Sequence, residues 1–332
     1  MKKIINDPTK VTNEMIEGFV AAFPQQVRRL EGVNVVVRRD APILGKVGVI
    51  AGGGSGHEPF WLGYTGKGMT DAVVVGSIFS SPTPDQVYEA TKAVNGGAGV
   101  LYILGNYSGD KMNFRLGAEK ARAEGIIVDV TQVTDDVASA PKDKARDRRG
   151  IAGNIFAIKI AGAKAEEMAT LGEVKDIAQK ANANIGTMGV ALAPCIIPVA
   201  GKPHFVLKED EIELGMGIHG EPGIQRTKLK TADEIAETLT HKIIDDLPFR
   251  KGDEVAVLVN GLGSTPLLEL LIVFRRVNGI LKDSGIKIYK SYVGNYCTSL
   301  EMAGCSITLF RLDEELKRLL DAPVSTPYLI QR

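Results

Sequence analysis

The chain has 332 residues, 44% hydrophobic and 24% charged, with 40 Lys plus Arg balanced by 40 Asp plus Glu and a formal net charge of zero. That length has room for about two ordinary domains, and the neutral balance argues against a protein that tracks a nucleic-acid backbone. The absence of any run of about 18 apolar residues excludes a membrane-spanning helix. Met1–Asp7 lacks the apolar stretch of a signal peptide, so a cytoplasmic location is expected. Cys195, Cys297 and Cys305 form no CxxC pair and point neither to a disulfide framework nor to structural zinc.

Strand-like, β-branched runs fall at Val33–Val37, Val47–Ala51, Ala72–Val75, Gly99–Leu104 and Ile126–Val130, a pattern suited to strands buried on both faces. Helices are predicted between and after them. Pro84–Ala93 opens with Thr83 as N-cap and proline at the first helical position. Others run from about Asp110 to Arg122, from Ile151 to Met168 and from Glu173 to Asn182. Beyond Ile185 the texture changes, and glycine and proline punctuate short runs at Thr187–Leu192 and Glu211–Met216. Thr231 to Glu234 forms a capping box for a helix at Ala232–Ile244. A strand at Glu254–Val259 precedes a helix at Leu267–Val277, capped by Thr265-Pro266. Strands at Ile286–Val293 and Ser306–Leu312 and a short helix near Asp313–Leu320 close the pattern. The expected fold class is α/β, with two α/β domains. Residues 1–184 should hold a mainly parallel sheet flanked by helices and carry glycine-rich ligand loops, and residues 185–332 a smaller mixed-sheet domain.

Three loops draw functional attention. Gly52-Gly53-Gly54-Ser55-Gly56-His57-Glu58-Pro59 follows a strand, where open α/β sheets bind ligands and glycines let backbone N–H groups approach them. His57 is there as a hydrogen-bond partner or general acid/base, or as a histidine in a tight strand-to-helix turn. Asn106-Tyr107-Ser108-Gly109-Asp110 follows another strand, and Asp110 reads equally as a catalytic base or as a helix N-cap. Gly215 to Gly220 matches GxGxxG literally, but Pro222-Gly223 turns the chain where a dinucleotide fold needs a helix. What remains is His219 in a rigid turn, either a nucleophile toward an electrophilic carbon or a structural histidine. Ser80–Pro84 and Asn260–Pro266 also look ligand-facing, each ending at a helix N-terminus. His204 and His241 read as surface residues. There is no GxxxxGK[ST] phosphate loop and no protein-kinase signature.

Together these segments resemble the dihydroxyacetone-binding subunit of bacterial dihydroxyacetone kinase, the separate-subunit type. The likeness rests on Gly52–Pro59, Ser81-Pro82-Thr83-Pro84-Asp85, Asn106–Asp110, Arg148-Arg149-Gly150, Gly217–Gly223 and Tyr296-Cys297-Thr298-Ser299, in the family's order and spacing, and runs nearly end to end. The resemblance implies that His219, in the second domain, adds to the ketone of a short keto-sugar as a hemiaminal. It implies that His57 and Asp110 hold the substrate and accept the hydroxyl proton during phosphoryl transfer. Gly53, Gly54, Ser55, Gly56, Ser81, Gly105 and Gly109 are the accompanying substrate-binding positions, and no metal ligand is expected. It further implies a homodimer with the site between the domains. No cofactor is expected on this chain, and ATP or ADP with magnesium belongs to a partner nucleotide-binding subunit, with ATP or a phosphotransferase-system relay as phosphoryl source. Two departures stand out: Gly105 replaces the family's usual lysine, and Phe60-Trp61 replaces smaller residues. They raise the alternatives of another ketose, such as erythrulose, or a ligand-sensing coactivator that works with a DNA-binding regulator.

Overall fold

Strands and helices alternate through the first half of the chain. After α1 (Val11–Ala22) come β1 (Val27–Arg29), β2 (Val35–Arg38), β3 (Gly48–Ser55), β4 (Ala72–Ile78), α2 (Pro84–Val94), β5 (Val100–Gly105), α3 (Ser108–Ala123), β6 (Val128–Val133), α4 (Asn154–Glu166) and α5 (Leu171–Asn182). The structure, a computed structural model, describes residues 2–332. The first sheet has the order β1-β2-β4-β3-β5-β6, with β4, β3, β5 and β6 mutually parallel and β1 and β2 antiparallel at one side. Val87, Ala90 and Val94 of α2 and Phe114, Ala118 and Ala121 of α3 pack on Ile50, Val74, Val100 and Tyr102 of the sheet. Helix α4 is buried on almost every side, against β3 and β5, with Lys159 among its buried residues.

Strand β3 differs from the expectation. It does not end at Ala51 but runs through Ser55, so Gly52, Gly53 and Gly54 are strand residues and not a loop. The reason is steric. A β-carbon at Gly52 would overlap the Val74 carbonyl oxygen, one at Gly54 would lie 2.6 Å from the Ser80 nitrogen, and one at Gly76 would overlap the Ser80 carbonyl oxygen. The backbone after β4 therefore folds down onto β3 and β4 through space that any side chain would fill. Deeper in the same body, Asp71 is 3% exposed. It accepts from Arg38 Nη1 at 2.9 Å, Lys46 Nζ at 2.6 Å and the Val49 nitrogen at 2.7 Å. With that many donors its burial is compensated.

The second sheet is built from β7 (Ile185–Ala193), β8 (Glu211–Leu214), β9 (Gln225–Lys228), β10 (Glu254–Gly261), β11 (Lys287–Gly294) and β12 (Ala303–Leu312), with α6 (Ala232–Asp246) and α7 (Leu267–Asp283). Its order is β11-β10-β12-β7-β8-β9, and only the β10–β11 pair is parallel, so it is mixed as expected. Ile235, Leu239 and Ile243 of α6 and Leu270, Val273 and Val277 of α7 cover Val190, Val257 and Ile307. The chain ends with α8 (Glu314–Asp321) and a hairpin of β13 (Val324–Ser325) and β14 (Ile330–Gln331).

The two bodies do not meet at one cut near residue 184, as the sequence reading has it. One comprises Lys2–Val133, Asn154–Ala181 and Leu316–Arg332, and the other Thr134–Gly153 and Asn182–Glu315. Hydrogen bonds account for both excursions. Segment 134–153 is stapled to β7 by Val137 N–H on the Thr187 carbonyl and Thr187 N–H on the Asp135 carbonyl, and to α6 by Arg148, which grips Asp246 through two bonds of 2.7 Å. The end of the chain returns to α4, where Lys159 Nζ donates to the Leu319 carbonyl at 2.6 Å and Arg318 pairs with Glu167. Thr231 forms the expected capping box, and Thr83, expected as an N-cap, forms one as well, with Gln86. Thr265 does not cap α7: Pro266 occupies that position, and the Thr265 hydroxyl donates to the Gly304 carbonyl at 2.7 Å.

These contacts separate structural glycines from permissive ones. Gly76→Ala should destabilise the protein by about 3 kcal/mol, the upper end of an overpacked core substitution. Gly18→Ala, in mid-helix with nothing within 4 Å of its β-carbon position, should stabilise it by about 0.5–1 kcal/mol. Chemical denaturation of the two variants beside the parent measures both.

Candidate active site

The first sheet places two of the sequence candidates at one crevice. Strands β3 and β5 are parallel neighbours, yet the chain leaves β3 toward β4 on one side and leaves β5 toward β6 on the other. Such a reversal opens a gap beyond the carboxyl ends of the two strands. His57 follows β3 there and Asp110 follows β5. His57 is 1% exposed and its ring stacks on Phe79, with centroids 4.9 Å apart. The turn leading to it needs glycine at 56, where φ is 99°, and both Glu58 carboxylate oxygens accept the Gly56 N–H at 3.1 Å. Ser81, after β4, lies against Gly109, whose β-carbon position is 3.4 Å from the Ser81 β-carbon. Asp110 is not the N-cap of α3. Tyr107 holds that position, and Asp110 is the third helical residue, 8% exposed, where the helix dipole favours its negative charge.

Other candidates take different parts. Ser55 is buried and its hydroxyl pairs with that of Thr12 at 2.9 Å, so its side chain serves the fold. Gly53 faces the ring of Trp61, 3.1 Å from its β-carbon position. Phe60 and Trp61 are 1% and 6% exposed and stacked on each other, so their bulk packs inside the fold against β3 and forms no open wall. Gly105 ends β5 in extended conformation, in parallel register with Val133. The Asn260 amide is consumed within the fold: its oxygen accepts from Tyr296 and Cys297 N–H, and its nitrogen donates to the Cys297 carbonyl at 2.7 Å. The Asn260 side chain thereby braces the turn at Tyr296 and Cys297. His204 and His241 are exposed, although the His204 ring packs over Gly220.

The second body carries His219, in the connection of the antiparallel β8–β9 pair. No helix opens there, which removes the dinucleotide reading. Glu221 does most to fix the imidazole. Its Oε1 lies 2.9 Å from His219 Nδ1, and its Oε2 accepts the His219 N–H at 2.9 Å. A carboxylate only accepts, so Nδ1 carries the proton and the neutral ring keeps its lone pair on Nε2. Burial alone would raise the Glu221 carboxyl. The hydrogen bond and charge of His219, the loop backbone and Arg149 outweigh it and hold the carboxyl at about 2. From below, the Ser299 hydroxyl donates to the Ile218 carbonyl at 2.5 Å, which gives the Tyr296–Ser299 motif a supporting role.

Arg149 connects this loop to the segment 134–153. Its Nε donates to Asp136 at 2.8 Å and its Nη2 to the Gly215 carbonyl at 2.9 Å. A β-carbon at Gly217 would lie 2.6 Å from Nη1 and overlap the Glu221 carboxylate, so a side chain there would displace both groups. Burial pushes the Asp136 carboxyl up to about 7 against the pull of Arg149, with adjacent Asp135 adding to the rise. Glu221 and Asp136 are the residues that sequence reasoning missed. Glu221 had a signal, a carboxylate two residues beyond the histidine in a tight turn. Asp136 had none, because its link to the loop exists only in three dimensions. Among the described residues no group of three or more His, Cys, Asp or Glu is placed to hold a metal ion, and no helix is long and apolar enough to cross a membrane.

Comparison with known proteins gives the same direction. The Dak1 domain pattern matches residues 17–328. The dihydroxyacetone-binding subunit of PTS-dependent dihydroxyacetone kinase 2 of Listeria innocua is 48% identical over 329 residues, covering 99% of each chain. D-Erythrulose kinase of Mycolicibacterium smegmatis is 44% identical over 98% of this chain and 56% of its own length. Among solved structures, a dihydroxyacetone kinase operon co-activator superposes with a TM-score of 0.90 at 34% identity, over 98% of this chain and 99% of the other.

The clamp on His219 predicts a pH signature. A carboxyl held at about 2, below its ordinary 4.5, contributes stability that is complete above pH 4.5 and disappears as pH falls toward 2. Parent should therefore exceed Glu221→Gln by about 2 kcal/mol at pH 6, the size of a hydrogen bond to a charged group. That gap should close progressively between pH 4.5 and 2. Thermal unfolding of both proteins across this range reads it directly.

Proposed function

This chain belongs to the Dak1 domain family, and from that membership we propose that it is the dihydroxyacetone-binding subunit of a multi-subunit dihydroxyacetone kinase. The observation that carries the reading is the Glu221–His219 pair, because it prepares an imidazole to act through Nε2. In the proposed reaction Nε2 adds to the ketone carbon of dihydroxyacetone, and the carbonyl π pair moves onto oxygen, which takes up a proton from solvent. The imidazole becomes a cation whose Nδ1 proton faces the Glu221 carboxylate. A hemiaminal results, and glycerol, with no carbonyl, is rejected. Asp110 then accepts the proton of a terminal hydroxyl as phosphoryl transfer proceeds, while His57 hydrogen-bonds the substrate and Ser81 and the backbone at Gly53, Gly54, Gly56, Gly105 and Gly109 shape its site.

ATP or ADP with magnesium belongs, in this proposal, to a separate nucleotide-binding subunit, and the chain works as a cytoplasmic homodimer. The retained His57 and Asp110 support a kinase over a sensor, since a pure receptor has no use for a proton acceptor. A second reading concerns the ketose. Gly105 supplies neither a cation nor a side chain beside Asn106, a departure that suits another ketose such as erythrulose, and an erythrulose kinase is among the relatives.

Mixed with a nucleotide-binding subunit, ATP and magnesium, the chain should yield ketose phosphate. Binding of a transcription factor without phosphorylation would instead mark a coactivator. His219→Ala should lose most ketose selectivity over glycerol, and crystals soaked with dihydroxyacetone should show continuous density from Nε2 to the ketone carbon. Asp110→Asn should keep ketose binding, change stability by no more than about 1 kcal/mol as a first-turn charge, and lose about 100-fold or more in turnover.

Residue 105 ends a strand and is not among the left-handed glycines, so the backbone of Gly105→Lys is unstrained there. The lysine should stabilise charge developing on the transferred group and shift the ratio of specificity constants toward dihydroxyacetone over erythrulose. An unchanged ratio would show that this position does not set substrate choice.

A further inference from the structure

Ser108, Lys111, Arg115 and Arg122 follow one another on α3 at intervals of three, four and seven residues, and so share one face of the helix. That face and Val130 and Gln132 of β6 line a groove of about 470 Å³. Strand β6 is the last of its sheet, so the groove runs along a sheet edge. Lys111, Arg115 and Arg122 line it and no carboxylate does, in a chain whose net charge is zero. The local excess is scarcely neutralised. Lys111 makes no ion pair among the described residues. Arg115 has a loose pair with Glu119 at 3.8 Å, both side chains more than half exposed. Arg122 donates to the Val128 carbonyl at 2.7 Å, which fixes its position and leaves its charge unpaired. Beside this strip, Met112 is 55% exposed and Leu116 36%, an apolar margin on the same helix.

We propose that this groove is the docking surface for an acidic segment of the nucleotide-binding subunit. The inference rests on the kinase reading above and adds where the partner sits. Phosphoryl transfer requires the donor phosphate within bonding reach of the hydroxyl that Asp110 serves. The partner must therefore cover the first turn of α3, and the groove begins in that turn, with Ser108 and Lys111 flanking Asp110 in sequence. From there it follows the helix for roughly 20 Å at 1.5 Å per residue. That length fits a helix or an extended segment better than a single phosphate. Unpaired cations along an exposed strip steer an acidic partner and fix its register, and the apolar margin adds burial once contact is made.

The test uses the full chain and the purified nucleotide-binding subunit of a PTS-dependent dihydroxyacetone kinase, loaded with ADP and magnesium. Affinity is measured by calorimetry at low and high salt for parent, Lys111→Glu/Arg115→Glu and the milder Lys111→Gln/Arg115→Gln. The parent should bind more weakly as salt rises. The charge-reversed variant should bind at least about tenfold more weakly at low salt with a flattened salt dependence, and the neutral variant should fall between, with dihydroxyacetone binding unchanged in both. Equal affinity of parent and folded variants, with normal ketose phosphorylation, overturns the groove and leaves the kinase reading intact. Loss of affinity for free ADP–magnesium without loss of subunit binding also overturns it, marking a nucleotide site instead. Failure of the parent to bind the subunit at all removes the kinase reading, and the docking surface with it.

Discussion

At the carboxyl end of the first sheet, backbone passes backbone closer than a β-carbon allows. Gly52 and Gly54 of β3 and Gly76 of β4 leave room for the Val74 carbonyl and for the chain at Phe79 to Ser81 to cross directly over the sheet. That crossing brings Phe79 onto the His57 ring and Ser81 beside Gly109. The positions of His57 and of the turn before Asp110 are thus consequences of one steric condition. The glycines that look like a bare cradle for a ligand are first of all a packing requirement. Their effect on a ligand is indirect, through the side chains they let the backbone hold in place.

Electrostatics organise the second body in a comparable way. Glu221 takes two hydrogen bonds from one residue, one from the His219 backbone and one from its ring, so the carboxylate fixes both the turn and the tautomer. Arg149 stands behind it, anchored by Asp136 and the Gly215 carbonyl, in the space that the missing side chain of Gly217 leaves open. Asp136 is held near 7, so its charge varies close to neutral pH. Its raised value means that it favours the folded state below its ordinary range near 3.8, a contribution lost as pH rises through 7. Glu221 has the opposite dependence, complete above pH 4.5 and lost toward 2. The anchor and the clamp therefore have opposite pH dependences.

The staples of segment 134–153 explain why Arg149 can take that position. Asp135, fully buried, accepts the N–H groups of Ile151 and Gly153 at 2.7 and 2.8 Å, while its carbonyl accepts from Thr187 on β7. The excursion is thereby fastened at its start, by Arg148 in its middle and by Asp135 again at its end. A loop with so many internal partners behaves as part of the second body, whatever its place in the sequence.

The sequence by itself determined the α/β class, the order of most strands and helices, the Thr83 N-cap, the Thr231 capping box and the loops worth attention. All of these follow from local periodicity and local chemistry: β-branched runs, threonine before proline or three residues before glutamate, glycine where a strand stops. It also argued against a dinucleotide turn, because Pro222-Gly223 turns the chain where that fold needs a helix after Gly220. Only the tertiary structure decided the rest. It extended β3 through its glycines, since the reason for them is a neighbouring strand's carbonyl. It divided the chain discontinuously, since hydrogen bonds from Val137 and Arg148 reach partners far along the sequence. It moved Asp110 from cap to first turn, drew Phe60 and Trp61 inside, turned the Asn260 amide into a brace, and joined Asp136 to Arg149 and Arg149 to the His219 loop. Each of these depends on which backbone lies against which, and that information is carried by packing and long-range hydrogen bonds that no stretch of sequence contains.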